Sequence, residues 1–220
     1  MGPVAGPRVP AARTRTNTNR RRILDAAMGC FAADPDASMD DVARAAGVVR
    51  RTVYAHFPNR DALVDGIAAD AAADLAAAID LVEPDSPDLA LAVGALRTWP
   101  VGDRYRILLS FARNELGEHY IAGLIAPART RVLDVVERGR AQGVFADYLP
   151  SPVLVGMMEG LTMATLEQAN LGLVRDSGES IALGALVLAG VTPARATDVV
   201  EHARRWLCEH VEGSSERVMR

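Results

Sequence analysis

Ser38–Arg60, SMDDVARAAGVVRRTVYAHFPNR, reads as two short helices joined at a glycine corner. Ser38 stands where it can cap the first, over about 39–46, and Asp40 and Asp41 fall in its first turn, where the helix dipole favours negative charge. Gly47 ends that helix, because glycine enters the left-handed conformation that closes a helix at no steric cost. The second helix, over about 49–56, has two distinct faces. Val48, Val53 and Phe57 turn inward with Val42 and Ala43, leaving Arg50, Arg51, Thr52, Tyr54 and His56 outward.

That outward face carries two guanidinium groups, a hydroxyl, a phenol and an imidazole, with no acid among them. Such a helix, braced by a neighbour across a tight turn, suits the major groove of double-stranded DNA. Arginine binds guanine bidentately at O6 and N7, and threonine and tyrosine meet phosphate oxygens or thymine methyls. The competing reading is a solvated helix that lacks acids, since basic helix faces are common.

The stretch 23–67 resembles the DNA-binding domain of the TetR family of bacterial transcriptional regulators. The residues that carry the resemblance are Ile23-Leu24-Asp25-Ala26-Ala27 with Phe31, then Ser38, Val42-Ala43, Ala46-Gly47-Val48, Thr52-Val53-Tyr54, His56-Phe57 and Arg60-Asp61-Ala62-Leu63. It covers about a fifth of the chain. The resemblance implies an all-α protein: an N-terminal three-helix helix-turn-helix domain followed by a helical ligand-binding and dimerisation domain. It also implies that Arg60, at the start of the next helix, meets a phosphate. Two positions depart from the family pattern. Val49 stands where a serine or threonine usually caps the reading helix and touches phosphate; its loss costs about 1 kcal/mol of helix stability, and its methyls are free for a thymine methyl. Asp34-Pro35-Asp36 replaces the usual glycine after the first helix.

Charge is divided along the chain. Residues 1–60 hold ten arginines against five acids, whereas residues 61–220 hold fourteen against 23. A polyanion therefore belongs with the N-terminal part. Residues 1–18, rich in proline, glycine and threonine, read as a disordered basic arm. Arg20, Arg21 and Arg22 follow it and can track phosphates or enter a minor groove, and Asn17 or Asn19 is placed to cap the first helix. The DNA-contacting set is thus Arg20, Arg21, Arg22, Ser38, Val49, Arg50, Arg51, Thr52, Tyr54, His56 and Arg60.

The helix-turn-helix domain is expected over 19–66, with its last helix running on from Arg60 to about residue 82 through a face of Leu63, Ile67, Ala71, Leu75 and Ile79. In the family that helix relays ligand binding to the reading head. Glu83-Pro84-Asp85-Ser86-Pro87 marks the domain connection. Beyond it, helices are predicted over 87–98, 103–116, 119–142 (kinked or restarted at Pro127), 151–172, 178–190 and 194–211, within a second domain at 83–212 and ahead of a flexible tail at 213–220.

Gly156, Gly160 and Ala164 recur every four residues on one helix, a stripe that admits a second helix at close range. The family pairs its late helices across a two-fold axis, so this stripe and Trp206 are assigned to a homodimer seam; close packing within one subunit is the alternative. A two-fold axis also sets two reading heads on successive turns of DNA. An effector pocket is expected between the helices of 87–142 and the front of 151–172. Its candidates are Trp99, Tyr105, Leu109, Arg113 and Asn114, with His119, Tyr120, Met158, Glu159 and Thr162 beside them. Scarce aromatics favour a modest aliphatic cavity over a broad stacking one.

Several classes are set aside. No apolar stretch is long enough to span a bilayer and no signal-peptide run appears, so a cytoplasmic protein without membrane association is expected. The two cysteines, Cys30 and Cys208, are far apart and imply neither a disulfide framework nor a metal site. No HExxH, CxxC, GxSxG or glycine-rich phosphate loop occurs, which argues against an enzyme and against a cofactor. The reading is a ligand-responsive regulator of transcription, a repressor, that binds a palindromic DNA operator as a homodimer and leaves it when a small-molecule effector binds. The competing reading is a DNA-bound activator or architectural protein with no small-molecule ligand.

Overall fold

The computed structural model describes residues 11–80, 83–115 and 118–212, and among these all side chains except those of 11–17, 108, 110–115, 118–119 and 211–212. The described residues form nine α-helices and one short π-helix, with no strand. The chain divides into two compact units, the first ending at Asp70 and the second beginning at Ala71.

The first unit holds α1 (Ala11–Ala33), α2 (Met39–Ala45), α3 (Arg50–His56) and the first half of α4 (Arg60–Ile79). Its core is the inner stripe of α1, chiefly Ile23, Leu24 and Phe31, closed over Val42, Val53 and Leu63, all 3% exposed or less. Two expectations fail at the start. Residues 11–18 are helical rather than a disordered arm, since Ala11, Ala12 and the long arginines are strong helix formers directly after Pro10. Asn17 and Asn19 consequently lie inside α1 and cap nothing at its start. Residues 1–10 of the expected arm lie outside the described residues, as does the tail at 213–220.

The glycine corner is built as a double-bonded helix stop. Gly47 takes φ +63°, its N–H donates to the Arg44 carbonyl at 3.2 Å, and the Val48 N–H reaches the Ala43 carbonyl at 3.1 Å. At the other end, the Asp41 N–H donates to Ser38 Oγ at 3.2 Å and the Ser38 N–H to Asp41 Oδ2 at 3.0 Å, a reciprocal capping box. The Ser38 hydroxyl, which donates to Asp41 Oδ2 at 2.6 Å, then the Ser38 N–H and then Arg44 hold the Asp41 carboxyl below the usual carboxylate range. Gly66 keeps the head compact: a Cβ there would lie 2.5 Å from the Phe57 ring.

The second unit contains α5 (Pro87–Glu115), α6 (Glu118–Ala141), α7 (Ser151–Asn170), α8 (Glu179–Leu188), α9 (Pro193–Leu207) and the π-helix Cys208–Glu212. Its α5 lies against each of α6, α7, α8 and α9. Ala92, Val93, Val136, Leu154, Ala182 and Leu186 form the fully enclosed centre, each at most 1% exposed. Three boundaries differ from the sequence-based ones. The helices expected over 87–98 and 103–116 are one helix that passes through Pro100. That proline removes a single backbone bond, while Trp99 on one side and Tyr105 on the other, 4% and 3% exposed, anchor the two halves by burial. Likewise α6 runs through Pro127 without restarting, and α4 ends at Ile79, short of the expected 82.

Two close approaches fix the loops around this bundle. A Cβ on Gly139 would come within 2.0 Å of the Phe145 ring, so only glycine lets the chain after α6 fold back. Gly178, at φ +92°, lies against Trp99, whose indole Nε1 donates to the Asp176 carbonyl at 3.0 Å. The start of α5 is tied to α9 by an ion pair: Asp88, 3% exposed, accepts from Arg195 at 2.7 Å and from the Ser86 hydroxyl.

Candidate nucleic-acid interface and effector cavity

The structure sorts the eleven expected DNA contacts into those that face outward unengaged and those held by the head itself. Arg51 is exposed and has no hydrogen-bond or ion-pair partner among the described residues. Val49, the residue before α3, is 70% exposed, and Tyr54 within α3 is 37% exposed. Val49 makes no side-chain cap, as its chemistry requires. Thr52 and His56 are half-buried rather than fully outward, because seven residues make barely two turns and the edges of so short a helix meet its neighbours.

Arg50 is exposed but engaged. Its Nη1 donates to Asp40 Oδ2 at 2.8 Å and its guanidinium lies over the Tyr54 ring at 5.2 Å. Ser38 is occupied by its capping box. The basic residues of α1 are likewise largely structural. Arg22 Nη2 donates to the Ala46 carbonyl at 2.8 Å, satisfying an orphan group at the end of α2. Arg20 sits 5.5 Å over Phe57 and 3.9 Å from Asp70. Arg21 is exposed and is not without a partner of its own.

Arg60 departs furthest from its expected role. Its guanidinium is turned to the Pro35 carbonyl and stacks 4.8 Å over Phe31, so it ties the start of α4 to the end of α1. The start of α4 is capped by Asn59, whose Oδ1 accepts the Ala62 N–H at 2.8 Å. Sequence reasoning missed Asn59 as a cap, although Asn three residues before a helix-forming alanine is the signal. It also missed that Asp40 would neutralise Arg50, a contact between helices that no spacing rule encodes.

On the second unit, Gly156, Gly160 and Ala164 are all exposed, and a Cβ on either glycine would meet nothing within 4 Å. Among the described residues neither glycine of the stripe has a close neighbour within the chain. Val153 and Met157 flank it at 49% and 43% exposure, and Leu183 and Val187 of α8 add 36% and 38%. Trp206 is different: it is half-buried on the unit's own core and stacks on His210 at 4.3 Å.

A cavity of about 210 Å³ opens within the second unit. Of the residues proposed for an effector pocket, Trp99, Tyr105, Leu109, Met158, Glu159 and Thr162 line it. Tyr120 does not, and the side chains of Arg113, Asn114 and His119 lie outside the described residues. The second half of α4 contributes Leu75, Ala78 and Ile79. Sequence reasoning missed these, and also Arg97 and Glu83, because their apolar or charged periodicity reads equally well as core or surface. The Tyr105 hydroxyl donates to Asp74 Oδ2 at 2.9 Å, which joins α5 to α4 beside the cavity. Among the described residues no helix is long and apolar enough to cross a membrane.

Known proteins agree with the sequence resemblance. The model of bacterial regulatory proteins of the tetR family matches residues 23–67. The chain is similar to the HTH-type transcriptional repressor LfrR of Mycolicibacterium smegmatis, 44% identical over 75 residues; that alignment spans 34% of this chain and only 38% of LfrR. Over 182 residues it is 29% identical to the putative mycofactocin biosynthesis transcriptional regulator MftR of Mycobacterium tuberculosis, spanning 78% of this chain and 88% of that one. The solved structure of LfrR from Mycobacterium smegmatis in complex with proflavine superposes with a TM-score of 0.60 at 27% identity, covering 80% of this chain and 96% of that one. Residues 23–67 thus match the helix-turn-helix head of the tetR family, and over most of its length the chain is similar to TetR-like regulators of transcription.

Proposed function

We propose that the protein is a ligand-responsive transcriptional repressor that binds a palindromic operator as a homodimer and is released by a small molecule held in the second unit's cavity. The observation that carries this reading is α4. It is one uninterrupted helix whose Leu63 and Ile67 are buried in the head and whose Leu75, Ala78 and Ile79 line the cavity. A ligand that reshapes the cavity wall acts on the same rod that forms part of the reading head.

In this reading α3 enters the major groove, with Arg51 on a base edge and Val49 and Tyr54 on thymine methyl or phosphate. Two copies meet through the exposed Gly156–Gly160–Ala164 face of α7, extended by Leu183 and Val187 of α8. The repressor LfrR, a relative, was solved in complex with proflavine, which supports the small-molecule reading. The effector shifts the dimer toward a state whose heads no longer fit successive grooves, and a hundredfold loss of operator affinity requires about 2.7 kcal/mol of preference for that state. The protein is a binding protein with no catalytic step, acting in the cytoplasm beside its operator.

Selection of bound sequences from random duplex DNA, followed by thermal-shift screening of small molecules, tests the reading. A two-fold symmetric site, and a compound that both raises the melting temperature and releases that site, are the expected results. A protein that ignores duplex DNA at modest salt refutes it. Stable operator binding with no releasing compound favours the activator or architectural reading.

A further inference from the structure

Two acids stand on the wall of the second unit's cavity, Glu83 and Glu159, and each is more enclosed than the arginines bonded to it. Glu159 of α7 accepts two bonds from Arg129 of α6, at 2.6 Å and 2.5 Å; the arginine side chain is 49% exposed and the glutamate 22%. Glu83, at 17%, is shared by Arg131, at 44%, and Arg138, at 35%. The supply of cations differs between the two. Arg97 belongs with the second group: burial first, and then the Arg131 charge, lower its pKa, and the Glu83 charge raises it. Three guanidinium groups thus stand about Glu83, whereas Glu159 is bonded by Arg129 alone among the described residues.

This asymmetry makes Glu159 a place where one cation can be exchanged for another. An arginine has a long apolar stem that lets its head turn into water, and Arg129 already has about half of its side chain there. Glu159, on a shorter stem and more enclosed, stays on the wall. A ligand ammonium that takes the place of Arg129 keeps one cation on one carboxylate, and the displaced guanidinium is solvated rather than stranded. An anion meets the reverse case. To take Arg129 it must strip the more enclosed Glu159 of its cation, and at Arg131 it sets a second negative charge beside Glu83. A neutral ligand leaves both pairs as they are and gains neither. The rest of the wall is apolar, from Leu75 and Val101 to Val132 and Met163. Its volume of about 210 Å³ exceeds the roughly 150 Å³ of an apolar cavity that holds benzene, so the ligand is larger than one ring of six atoms.

We infer that the effector is an amphiphilic organic cation, a hydrocarbon body of roughly ten non-hydrogen atoms whose ammonium group replaces Arg129 at Glu159. Because Arg129 and Glu159 join α6 to α7, the exchange opens a tie on the helix that bears the proposed dimer seam. The inference rests on the effector-cavity reading above and adds the chemical class of the ligand and the ion pair it opens.

Titration calorimetry with octylamine, octanol and octanoate at neutral pH, matched in chain and differing in head group, tests it on the full-length protein. The same three head groups on a naphthylmethyl body cover a rigid ligand of similar size. The amine is expected to bind at least tenfold more tightly than the alcohol, and the acid more weakly than either. In Glu159→Gln the amine should fall to the level of the alcohol. Arg129→Ala separates an exchange from plain attraction: with the resident cation gone, the amine should bind at least threefold more tightly than it does to the wild type. A cooperative thermal melt shows that each variant is folded, and the comparison of head groups on the wild type stands without either. An amine that binds no more tightly than the alcohol, or more weakly to Arg129→Ala than to the wild type, overturns the cation assignment and leaves the cavity reading standing. Failure of both series to bind at all overturns the two together.

Discussion

Arg50 Nη1 lies 2.8 Å from Asp40 Oδ2, so the first arginine of the reading helix is already paired with an acid of the bracing helix, whereas Arg51, the next residue, is unpaired among the described side chains. Both groups of the pair are substantially exposed, which makes it weak and easily broken by a phosphate. Asp40 also sets a negative charge on the face proposed to meet a polyanion. Replacing it with asparagine releases Arg50 and removes that repulsion. Asp40→Asn is expected to tighten operator binding by roughly two- to tenfold at low salt, with the gain shrinking as ionic strength rises. Fluorescence anisotropy across a salt series checks this, and weaker binding in the variant would show that the pair organises α3 for DNA.

Arg51 is a different case because no described residue of the free head competes for it. A bidentate arginine–guanine contact discriminates by about 1–3 kcal/mol. Arg51→Ala should therefore flatten base preference at one position of each half-site while leaving the remaining positions unchanged. The site recovered by sequence selection with the variant is the measurement, and an unaltered sequence logo removes Arg51 from base readout.

For Arg60 the sequence and the structure lead to opposite experiments. Read as a phosphate ligand, its loss weakens binding and lowers the salt slope; placed against Pro35 and Phe31, it stabilises the head instead. Arg60→Ala is expected to lower the stability of the head by about 1–2 kcal/mol, from one hydrogen bond to a charged donor and one cation–π contact. The dependence of operator affinity on salt should remain as in the wild type. A reduced salt slope without loss of melting temperature would restore the phosphate role.

The head was legible because its determinants are local. Ser38 with Asp41 and Gly47 with Val48 are within a few residues of each other, and the inward Val42, Val53 and Phe57 all fall within sixteen residues across one glycine corner, so sequence spacing encodes these contacts directly. What was hidden is tertiary. Arg22 reaches Ala46 across 24 residues, Arg60 reaches Pro35 across 25, and neither follows from a helical wheel. Likewise Pro100 reads locally as a helix break, and only the burial of Trp99 and Tyr105 on both sides reveals why α5 continues. The cavity was half legible for the same reason. Its aromatic members stood out, but Arg97 and Glu83 are distinguished from surface charges only by what folds over them.

Gly160 separates a seam between subunits from packing within one. A Cβ at this position meets nothing within 4 Å among the described residues, so a side chain can start there without a clash inside one subunit. Removing a glycine from a helix interior even favours the helix, by about 0.8–1 kcal/mol for alanine. Gly160→Leu is therefore expected to weaken dimerisation by about a hundredfold in sedimentation equilibrium while the circular-dichroism spectrum of the diluted protein keeps its helical content. An intact dimer at the same concentrations would move the seam to another face, with the exposed Leu171 and Leu173 loop as the next to test.

Asp88 carries a pH dependence whose sign is fixed by its surroundings. Burial pushes its carboxyl upward most strongly, but bonds from Ser86, Arg195 and the Leu89 N–H together outweigh burial and leave it below its ordinary value of 3.8. A carboxyl whose folded pKa is depressed contributes stability that is fully present above the unfolded value and lost as pH falls through the folded one. The tie between α5 and α9 should hold unchanged from neutrality to about pH 5 and loosen only below 3.8. Asp88→Asn keeps the shape and loses the charge, at an expected cost of about 1–3 kcal/mol at neutral pH, because Arg195 is itself largely solvated. Denaturant unfolding of the two proteins across pH should then show a constant gap above pH 5 that closes in acid, and a gap that is the same at every pH would mean that the carboxylate form of Asp88 contributes nothing.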